Sequence, residues 1–222
     1  ILICPRLLYH KSIILIKQAY KKQPMISTGE IKRQIFHLFL GLALAGLYYL
    51  DILSPLAMFL GIVCGVLISF ISKRMDLPLI STFLDHFERK EVRKKFPGKG
   101  MIFYFVGVLL VIQLFEKDIA LAAIMILAFG DSVSHVFGAQ FGKIRNIISG
   151  DKRKLLEGTF AGTIAGALGA AMFVPLPEAV FASFAAMIFE VFKIDFNDKT
   201  LDDNIIVPLI AGTVMYLVRL YL

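Results

Sequence analysis

The chain of 222 residues lacks tryptophan and contains only two cysteines, Cys4 and Cys64. Neither cysteine belongs to a CxxC or Cys/His spacing, which argues against a disulfide framework or a zinc site. Charged residues are also scarce, at 18% of the chain against 58% for hydrophobic residues. Because soluble domains are only about 45–50% apolar, this composition predicts an integral membrane protein.

The N-terminal stretch does not have the pattern of a secretory signal peptide. Residues 1–23 carry Arg6, Lys11 and Lys17 within apolar sequence, and no small-residue cleavage site follows. We expect residues 1–34 to form an interfacial amphipathic helix and the cap of the first span. An additional span over residues 1–23 is the alternative.

The rest of the chain contains seven apolar segments. They cover residues 35–50, 53–72, 101–115, 119–138, 159–175, 177–192 and 204–222. Several are shorter than the about 20 residues that span a bilayer unaided, so their flanks must extend them or the helices must tilt. The sequence therefore predicts an all-α, polytopic membrane helix bundle of about seven transmembrane helices over residues 35–222.

Basic charge is distributed unevenly between the two sides of this predicted bundle. With the N-terminus inside, segments 1–34, 73–100, 139–158 and 193–203 carry 22 of the 24 Lys and Arg residues. Only Lys117 and Arg219 fall outside. The positive-inside rule thus places the N-terminus and the loops 73–100, 139–158 and 193–203 in the cytoplasm. The same rule accounts for the net charge of +7 without a nucleic-acid partner.

The fourth apolar segment ends in GDSVSHVFGAQFG, residues 130–142. On a helix, Asp131, His135, Gly138 and Gly142 form one stripe. An acid within a transmembrane helix is costly and usually functional, and glycines let a backbone or ligand come close. Helix packing through small residues, with the acid paired to a neighbour, is the alternative interpretation.

A basic loop and an acid follow this segment. The loop contains Lys143, Arg145, Lys152, Arg153 and Lys154, and Glu157 and Gly158 come next. Cations facing a carboxylate would suit a metal-bound nucleotide triphosphate, whereas orientation charge and contact with anionic lipid are the alternative. The repeat of Gly158, Gly162 and Gly166 favours close helix packing.

Two further patterns add candidate residues. Residues 202–204, Asp-Asp-Asn, stand where the last span begins, and helix capping and metal or ribose binding are equal alternatives. Glu190, near the end of the sixth segment, is a weaker candidate. In the first span, His37 follows Lys32 and Arg33, which suits either a structural role or a phosphate contact. The sequence has neither a GxxxxGK[ST] nor a GxGxxG motif.

Together these motifs resemble the CTP-dependent lipid kinases: dolichol (polyprenol) kinase, phytol kinase and the CTP-dependent diacylglycerol kinases. Their nucleotide signature reads roughly D-x-x-A-x-x-x-G-x-x-x-G, a basic loop and K-K-T-x-E-G. The matching residues are Asp131, Gly138, Gly142, Lys154, Glu157 and Gly158, while Ser134, Arg153 and Leu155 replace the Ala, the first Lys and the Thr. Residues 32–37 and 203–209 are similar to the family's basic-x-x-x-His opening and D-N-x-x-x-P-L closing motifs.

The resemblance implies phosphoryl transfer from CTP to the hydroxyl of a membrane lipid alcohol, namely a polyprenol or dolichol, a phytol-like alcohol or diacylglycerol. It implies Mg²⁺ or another divalent cation, and an active site facing the cytoplasm from the plasma membrane or endoplasmic reticulum. Asp131, His135 or Asp203 could then accept the alcohol proton as the catalytic residue, and the metal ligands would be Asp131, Glu157 and Asp203. The nucleotide-binding residues would be Lys32, His37, Gly138, Gly142, Lys143, Arg153, Lys154, Gly158 and Asn204. The oligomeric state stays open, a homodimer included.

Three other functions use similar features. CTP:phosphatidate cytidylyltransferases share the Asp…Lys…Glu-Gly signature, but they usually end in a glycine-rich segment and D-R-x-D-S, which this chain lacks. A transporter would place acids deep in several helices, whereas these acids cluster at one membrane face. A catalytically silent scaffold would not need Asp131, Glu157 and Asp203 on the same side. The sequence therefore favours the lipid kinase.

Overall fold

The computed structural model describes residues 27–75, 77–88, 90–141, 156–191, 195–196, 199–200 and 202–221. The helices of this part are α1 (Thr28–Tyr49), α2 (Pro55–Ser72), α3 (Pro78–Phe87), α4 (Lys90–Lys95), α5 (Lys99–Leu114), α6 (Lys117–Met125), α7 (Ser132–Phe141), α8 (Leu156–Ala170), α9 (Leu176–Val191) and α10 (Asp203–Tyr221). A π-helical turn, Ile126–Asp131, joins α6 to α7. The strands β1 (Asp195–Phe196) and β2 (Lys199–Thr200) pair antiparallel, with Asp195 opposite Thr200. The described fold is thus helical apart from this short pair, as the sequence predicts.

Local sequence signals set several helix starts. The hydroxyl of Ser27 accepts a hydrogen bond from the backbone N–H of Glu30 at 3.2 Å, so Ser27 caps α1. Gly98 precedes α5 with φ of 75°, a left-handed conformation that glycine adopts without strain. At α10, the Asp202 side chain accepts from the backbone N–H of Asn204 at 3.3 Å. Asp202 therefore caps the last helix.

The continuous helix over Lys117–Phe141 lies at the centre of the bundle. In the apolar stretch of this helix, 72% of the residues are buried inside the protein, against 11% in the apolar stretch of α2. The buried core groups around it and includes Val108, Ile124 and Met215 from three separate helices. On α2, large apolar side chains such as Phe59 are exposed. This contrast is typical of a membrane bundle in which one helix is enclosed by protein and another faces lipid.

Three of the described helices are long and apolar enough to cross a membrane: Pro55–Ser72, Lys117–Phe141 and Asp203–Tyr221. All seven predicted apolar segments coincide with helices, but α5, α8 and α9 have only 16, 15 and 16 residues. Such helices are about 23–24 Å long, less than the apolar thickness of a typical bilayer. The described residues thus support a membrane helix bundle, while the number of about seven spans stays a prediction.

The glycines of α8 pack directly against the central helix. An added Cβ at Gly158 would lie 2.5 Å from the carbonyl oxygen of Ser134 and 2.9 Å from Cα of Gly138. A Cβ at Gly162 would lie 2.6 Å from the carbonyl oxygen of Gly130. Any larger side chain would therefore push the two helices apart. Close packing, the favoured interpretation of this glycine repeat, is confirmed.

The two basic residues predicted to lie outside both pair with acids. The ammonium group of Lys117 lies 2.6 Å from Oδ1 of Asp51. The guanidinium of Arg219 contacts three carboxylates, those of Glu116, Asp118 and Glu178, at 3.0, 2.7 and 2.8 Å. The contacts of Arg219 tie the C-terminal end of α10 to the N-terminal ends of α6 and α9.

Candidate active site

Asp131 occupies the junction between the π-helical turn and α7. Its side chain is buried, with a residue exposure of 5%. A π turn inserts one extra residue into a helix, and such turns often accompany functional sites. One turn further along α7, Nε2 of His135 lies 3.4 Å from Oδ1 of Asp131. The predicted stripe on this helix thus brings a carboxylate and an imidazole together.

Two other helices add an acid and a second histidine. Nδ1 of His37 on α1 lies 3.7 Å from Oδ2 of Asp131. Oε1 of Glu190 on α9 lies 4.0 Å from Nε2 of His135, and Glu190 is only 2% exposed. We call His37, Asp131, His135 and Glu190 the acid–histidine cluster. Its members come from three parts of the chain that are far apart in sequence.

A polar chain connects this cluster to the beginning of α5. Nε2 of His37 lies 2.7 Å from Oδ1 of Asn204 at the start of α10. The side-chain nitrogen Nδ2 of Asn204 donates to Oδ1 of Asp202 at 2.9 Å and to the carbonyl oxygen of Gly100 at 3.3 Å. Nζ of Lys99 lies 3.3 Å from Oδ2 of Asp202. The ion pair of Lys99 and Asp202, at the starts of α5 and α10, is thereby connected through Asn204 to the buried imidazole of His37.

Close helix contacts hold His37 and Asn204 in place. The ring of Tyr104, which is fully buried, meets the ring of His37 edge-on with centroids 4.4 Å apart. One turn beyond His37, a Cβ at Gly41 would lie 2.5 Å from Cβ of Ala128, so glycine lets α1 approach the central helix. A Cβ at Gly107 would lie 3.1 Å from the carbonyl carbon of Asn204. Small residues therefore set the separation between the helices that carry the cluster.

The donor set fits a divalent cation. Asp131, His135 and Glu190 each offer one ligand atom, and these atoms lie within 4.8 Å of one another. Two carboxylates are the protein ligands from which Mg²⁺ sites are commonly built, together with substrate phosphates. The cluster can therefore hold a cation and, through its imidazoles, also donate or accept a proton.

The structure brings several of the predicted site residues to one place. It brings together Asp131, His135, His37 and Asn204. Glu157 lies in the first turn of α8 and Asp203 is the first residue of α10; neither belongs to the donor group around Asp131. Their predicted part in metal binding stays a prediction.

The remaining predicted residues concern the nucleotide. Lys32 is exposed on α1. Gly138 and Gly158 pack against each other, which leaves their part in nucleotide binding as a prediction. Gly142, Lys143, Arg153 and Lys154 lie outside the described residues, as does the N-terminal segment 1–26.

Sequence reasoning underrated several residues of this site. Glu190 was only a weaker candidate, although it shares with Asp131 the signal of an acid within an apolar helix. Tyr104 and Lys99 were not predicted at all. An aromatic residue in an apolar run and a lysine at a helix start are common, and no local pattern distinguishes these two.

The described residues form a helical bundle that has three helices apolar enough to cross a membrane and a buried acid–histidine cluster. No protein-family model matches the chain, and no solved structure matches it. It is 27% identical over 190 residues to an uncharacterized protein of Methanocaldococcus jannaschii, covering 84% of this chain and 92% of that protein.

Two further relatives are named CTP-dependent diacylglycerol kinase 1. The one from Eremothecium gossypii is 27% identical over 153 residues, which is 67% of this chain and 47% of that protein. The one from Schizosaccharomyces pombe is 25% identical over 136 residues, or 54% of this chain and 60% of that protein. The matches support membership of the chain in the CTP-dependent lipid kinase family and confirm the predicted resemblance. The chain spans about half to three fifths of the length of these two kinases.

Proposed function

We propose that this protein transfers the γ-phosphoryl group of CTP to the hydroxyl of a membrane lipid alcohol. The observation that carries the proposal is the convergence of His37, Asp131, His135 and Asn204, whose outermost pair is 167 residues apart in sequence, at one buried cluster. These residues come from three motifs that resemble those of the CTP-dependent lipid kinases. Two proteins whose names carry that activity are similar in sequence to this chain.

The proposed reaction is a displacement at the γ-phosphorus. The lipid hydroxyl oxygen forms a bond to the γ-phosphorus, the bond to the bridging oxygen breaks, and CDP leaves with its electron pair. The hydroxyl proton passes to a side chain of the site, with Asp131, His135 and Asp203 as the candidates. Catalysis of phosphoryl transfer consists mainly of positioning and of stabilising charge, and buried side chains in fixed positions suit that task.

The charges of the triphosphate require compensation. A divalent cation held by Asp131 and Glu190, with Glu157 and Asp203 as further proposed ligands, would supply part of it. Lys143, Arg153 and Lys154 would contact the phosphates. Gly138, Gly142 and Gly158 would let the nucleotide approach the helix backbone, and Lys32 would add a positive charge at the start of the first span.

We place this chemistry at the cytoplasmic face of a bundle of about seven spans. The polar chain from the cluster ends at Lys99 and Asp202, which lie in the segments 73–100 and 193–203 predicted inside. Lys117 and Arg219, predicted outside, lie at the other end of their helices. The lipid hydroxyl would then reach the cluster from the inner leaflet of the plasma membrane or endoplasmic reticulum.

The test is an assay of the purified protein with γ-labelled CTP. Diacylglycerol, a polyprenol and phytol are offered in turn as acceptors, and ATP is compared with CTP as donor. Label in the lipid supports the kinase. Incorporation of CMP with release of pyrophosphate would instead indicate a cytidylyltransferase. No turnover with any nucleotide would contradict both enzyme functions.

A matched pair of variants connects the activity to the cluster. Asp131→Asn keeps the size of the side chain and removes its charge, and we expect a loss of about 100-fold or more in phosphoryl transfer. Asp85→Asn is the control, because Asp85 is exposed on α3 and pairs with Arg93. It should retain the wild-type rate. Equal rates for both variants would show that the cluster takes no part in the reaction.

A further inference from the structure

The side-chain amide of Asn204 is held in one orientation by two acceptors. Its Nδ2 donates to Oδ1 of Asp202 at 2.9 Å and to the carbonyl oxygen of Gly100 at 3.3 Å. A flipped amide would place its oxygen against these two oxygens with no hydrogen between them. The orientation that satisfies both acceptors turns Oδ1 of Asn204 toward the ring of His37.

Asp202, the stronger of these two acceptors, is itself fixed in place. Its Oδ2 lies 3.3 Å from Nζ of Lys99, and its Oδ1 also accepts from the backbone N–H of Asn204 at 3.3 Å. The start of α5 is fixed in turn, because the backbone N–H of Gly98 donates to the carboxylate of Glu88 at 2.9 Å. The amide oxygen of Asn204 is therefore supported from the starts of both α5 and α10.

This amide oxygen determines which ring nitrogen of His37 carries a hydrogen. Nε2 of His37 lies 2.7 Å from Oδ1 of Asn204, and an amide oxygen can only accept a hydrogen bond. Nε2 therefore carries a hydrogen and donates it. A ring that is turned over would bring a carbon to this position, and carbon seldom approaches oxygen closer than about 3.3 Å. Asn204 thus fixes both the direction of the ring and the hydrogen on Nε2.

The second ring nitrogen of His37 is then left without a hydrogen. Nδ1 is buried and has no hydrogen-bond partner among the described residues. Oδ2 of Asp131 lies 3.7 Å from it, which is beyond hydrogen-bond distance. A hydrogen on Nδ1 as well would create a buried cation with an N–H that no described oxygen accepts. The neutral ring with a bare Nδ1 avoids both costs.

We propose that Asn204 is a positioning residue, which holds His37 as the neutral ring protonated at Nε2 and so presents the bare Nδ1 to the reaction centre beside Asp131. Asn204 would then act through His37 rather than by contact with the nucleotide. An oxygen that fixes the tautomer of a working imidazole is a recurring feature of enzyme sites. The state of the ring requires no particular substrate, whereas its use in phosphoryl transfer rests on the proposed function.

A bare ring nitrogen at this place has a definite use in that reaction. The lipid hydroxyl must be oriented so that its oxygen faces the γ-phosphorus. A nitrogen without a hydrogen orients the hydroxyl by accepting its hydrogen bond, whereas an N–H at the same place could only donate. Loss of Asn204 should therefore slow the chemical step and leave nucleotide affinity unchanged.

The experiment measures the ¹⁵N chemical shifts of the ring of His37, because a ring nitrogen with a hydrogen and one without give separate signals. The full chain is labelled with ¹³C,¹⁵N-histidine, reconstituted in phosphatidylcholine vesicles and studied by solid-state NMR near neutral pH without nucleotide. The chain has four histidines, so the signals that His37→Gln loses are those of His37. We expect one protonated and one bare nitrogen, with the protonated nitrogen correlated to Cδ2, the ring carbon bonded to Nε2.

Variants connect this state to Asn204. Asn204→Ala removes the acceptor, so Nδ1 should carry the hydrogen in a large share of the molecules. The kcat for phosphoryl transfer should fall by about 10–100-fold, while KM for CTP stays within about twofold. Asp202→Ala leaves the carbonyl of Gly100 as acceptor and should cause a smaller change in the same direction. The control is Asp51→Asn, at an exposed acid that also pairs with a lysine at a helix start and should keep the wild-type shifts and rate.

Several results would overturn the inference. Folded wild-type protein in which His37 carries a hydrogen on both ring nitrogens, or only on Nδ1, contradicts it even if a variant fails to fold. Unchanged shifts of His37 in folded Asn204→Ala contradict it as well, and a raised KM for CTP in that variant would instead indicate a nucleotide contact. The kinase proposal fails separately, because a protein with the expected shifts that transfers no phosphate would contradict only the reaction.

Discussion

Nε2 of His37 and Oδ1 of Asn204 are 2.7 Å apart, and their contact joins the first described helix to the last. The two residues belong to motifs at opposite ends of the chain. Their contact places the imidazole against Asp131 on the central helix. The opening and closing motifs therefore meet at the candidate site, and we expect changes at either end of the chain to affect the same chemistry.

We predict that Glu190→Gln lowers phosphoryl transfer by about 100-fold while the protein stays folded. The substitution keeps the shape of a side chain that is 2% exposed and removes a negative charge 4.0 Å from His135. Initial rates with labelled CTP measure the effect. Glu116→Gln, at an exposed acid on the opposite end of the bundle, should keep the wild-type rate. A Glu190→Gln rate within twofold of wild type would exclude Glu190 from the site.

We predict that Gly107→Ala destabilises the protein by about 1–3 kcal/mol. An added methyl at Gly107 would lie 3.1 Å from the carbonyl carbon of Asn204 and 3.3 Å from Cα of Ile205, so α5 and α10 must separate. Thermal unfolding in detergent measures the change. Because Asn204 moves with α10, His37 would lose its partner and activity would fall as well.

The matched control for Gly107 is Gly46→Ala on α1. Gly46 has no neighbouring atom within 4 Å of the added methyl, and alanine is the better helix former by about 0.5–1 kcal/mol. The melting temperature of this variant should stay level or rise. Equal destabilisation by the two substitutions would show that contact with Asn204 is not the cause.

We predict that Arg219→Ala lowers the melting temperature without a direct effect on the cluster. Glu178 is 7% exposed, and loss of its guanidinium partner leaves a buried carboxylate unpaired, at a cost of about 1–3 kcal/mol. Lys117→Ala removes a more exposed pair with Asp51 and should cost about 0–1 kcal/mol. Turnover by the folded fraction of Arg219→Ala should match wild type. A smaller loss than that of Lys117→Ala would contradict the assignment.

We predict that cysteine labelling places Asp51 and Asp85 on opposite sides of the membrane. Asp51 lies between α1 and α2 on the side predicted outside, and Asp85 lies on α3 within the predicted cytoplasmic segment 73–100. Asp51→Cys and Asp85→Cys are made in a chain whose Cys4 and Cys64 are replaced by serine. An impermeant maleimide should label only Asp51→Cys when it is applied to the non-cytoplasmic face of sealed membranes, and both variants after permeabilisation. The reverse pattern would invert the orientation.

Local patterns in the sequence predicted much of the architecture. Seven apolar segments coincide with helices, and the Ser27 cap lies where α1 begins. Both features depend on residues within a few positions of one another, so the sequence displays their physical cause directly. The cost of an acid in an apolar helix likewise made Asp131 a candidate functional residue before any geometry was known.

The membership of the cluster depended on tertiary structure. The sequence pairs Asp131 with His135 because they are one turn apart, but the partners His37 and Glu190 come from other helices. Side chains on different helices come together only if the backbones of those helices pack closely. That approach is set by contacts such as those of Gly107 with Asn204, which no local period reveals.

By itself, then, the sequence determined that the chain forms apolar helices and that its basic residues fall in alternate connecting segments, and it singled out Asp131 as a candidate site residue. Only the tertiary structure decided that Glu190 lies beside His135 and that Asn204 contacts the ring of His37. The physical reason is that helix formation and residue polarity are local properties. The alignment of four helices around a buried carboxylate is a property of their packing.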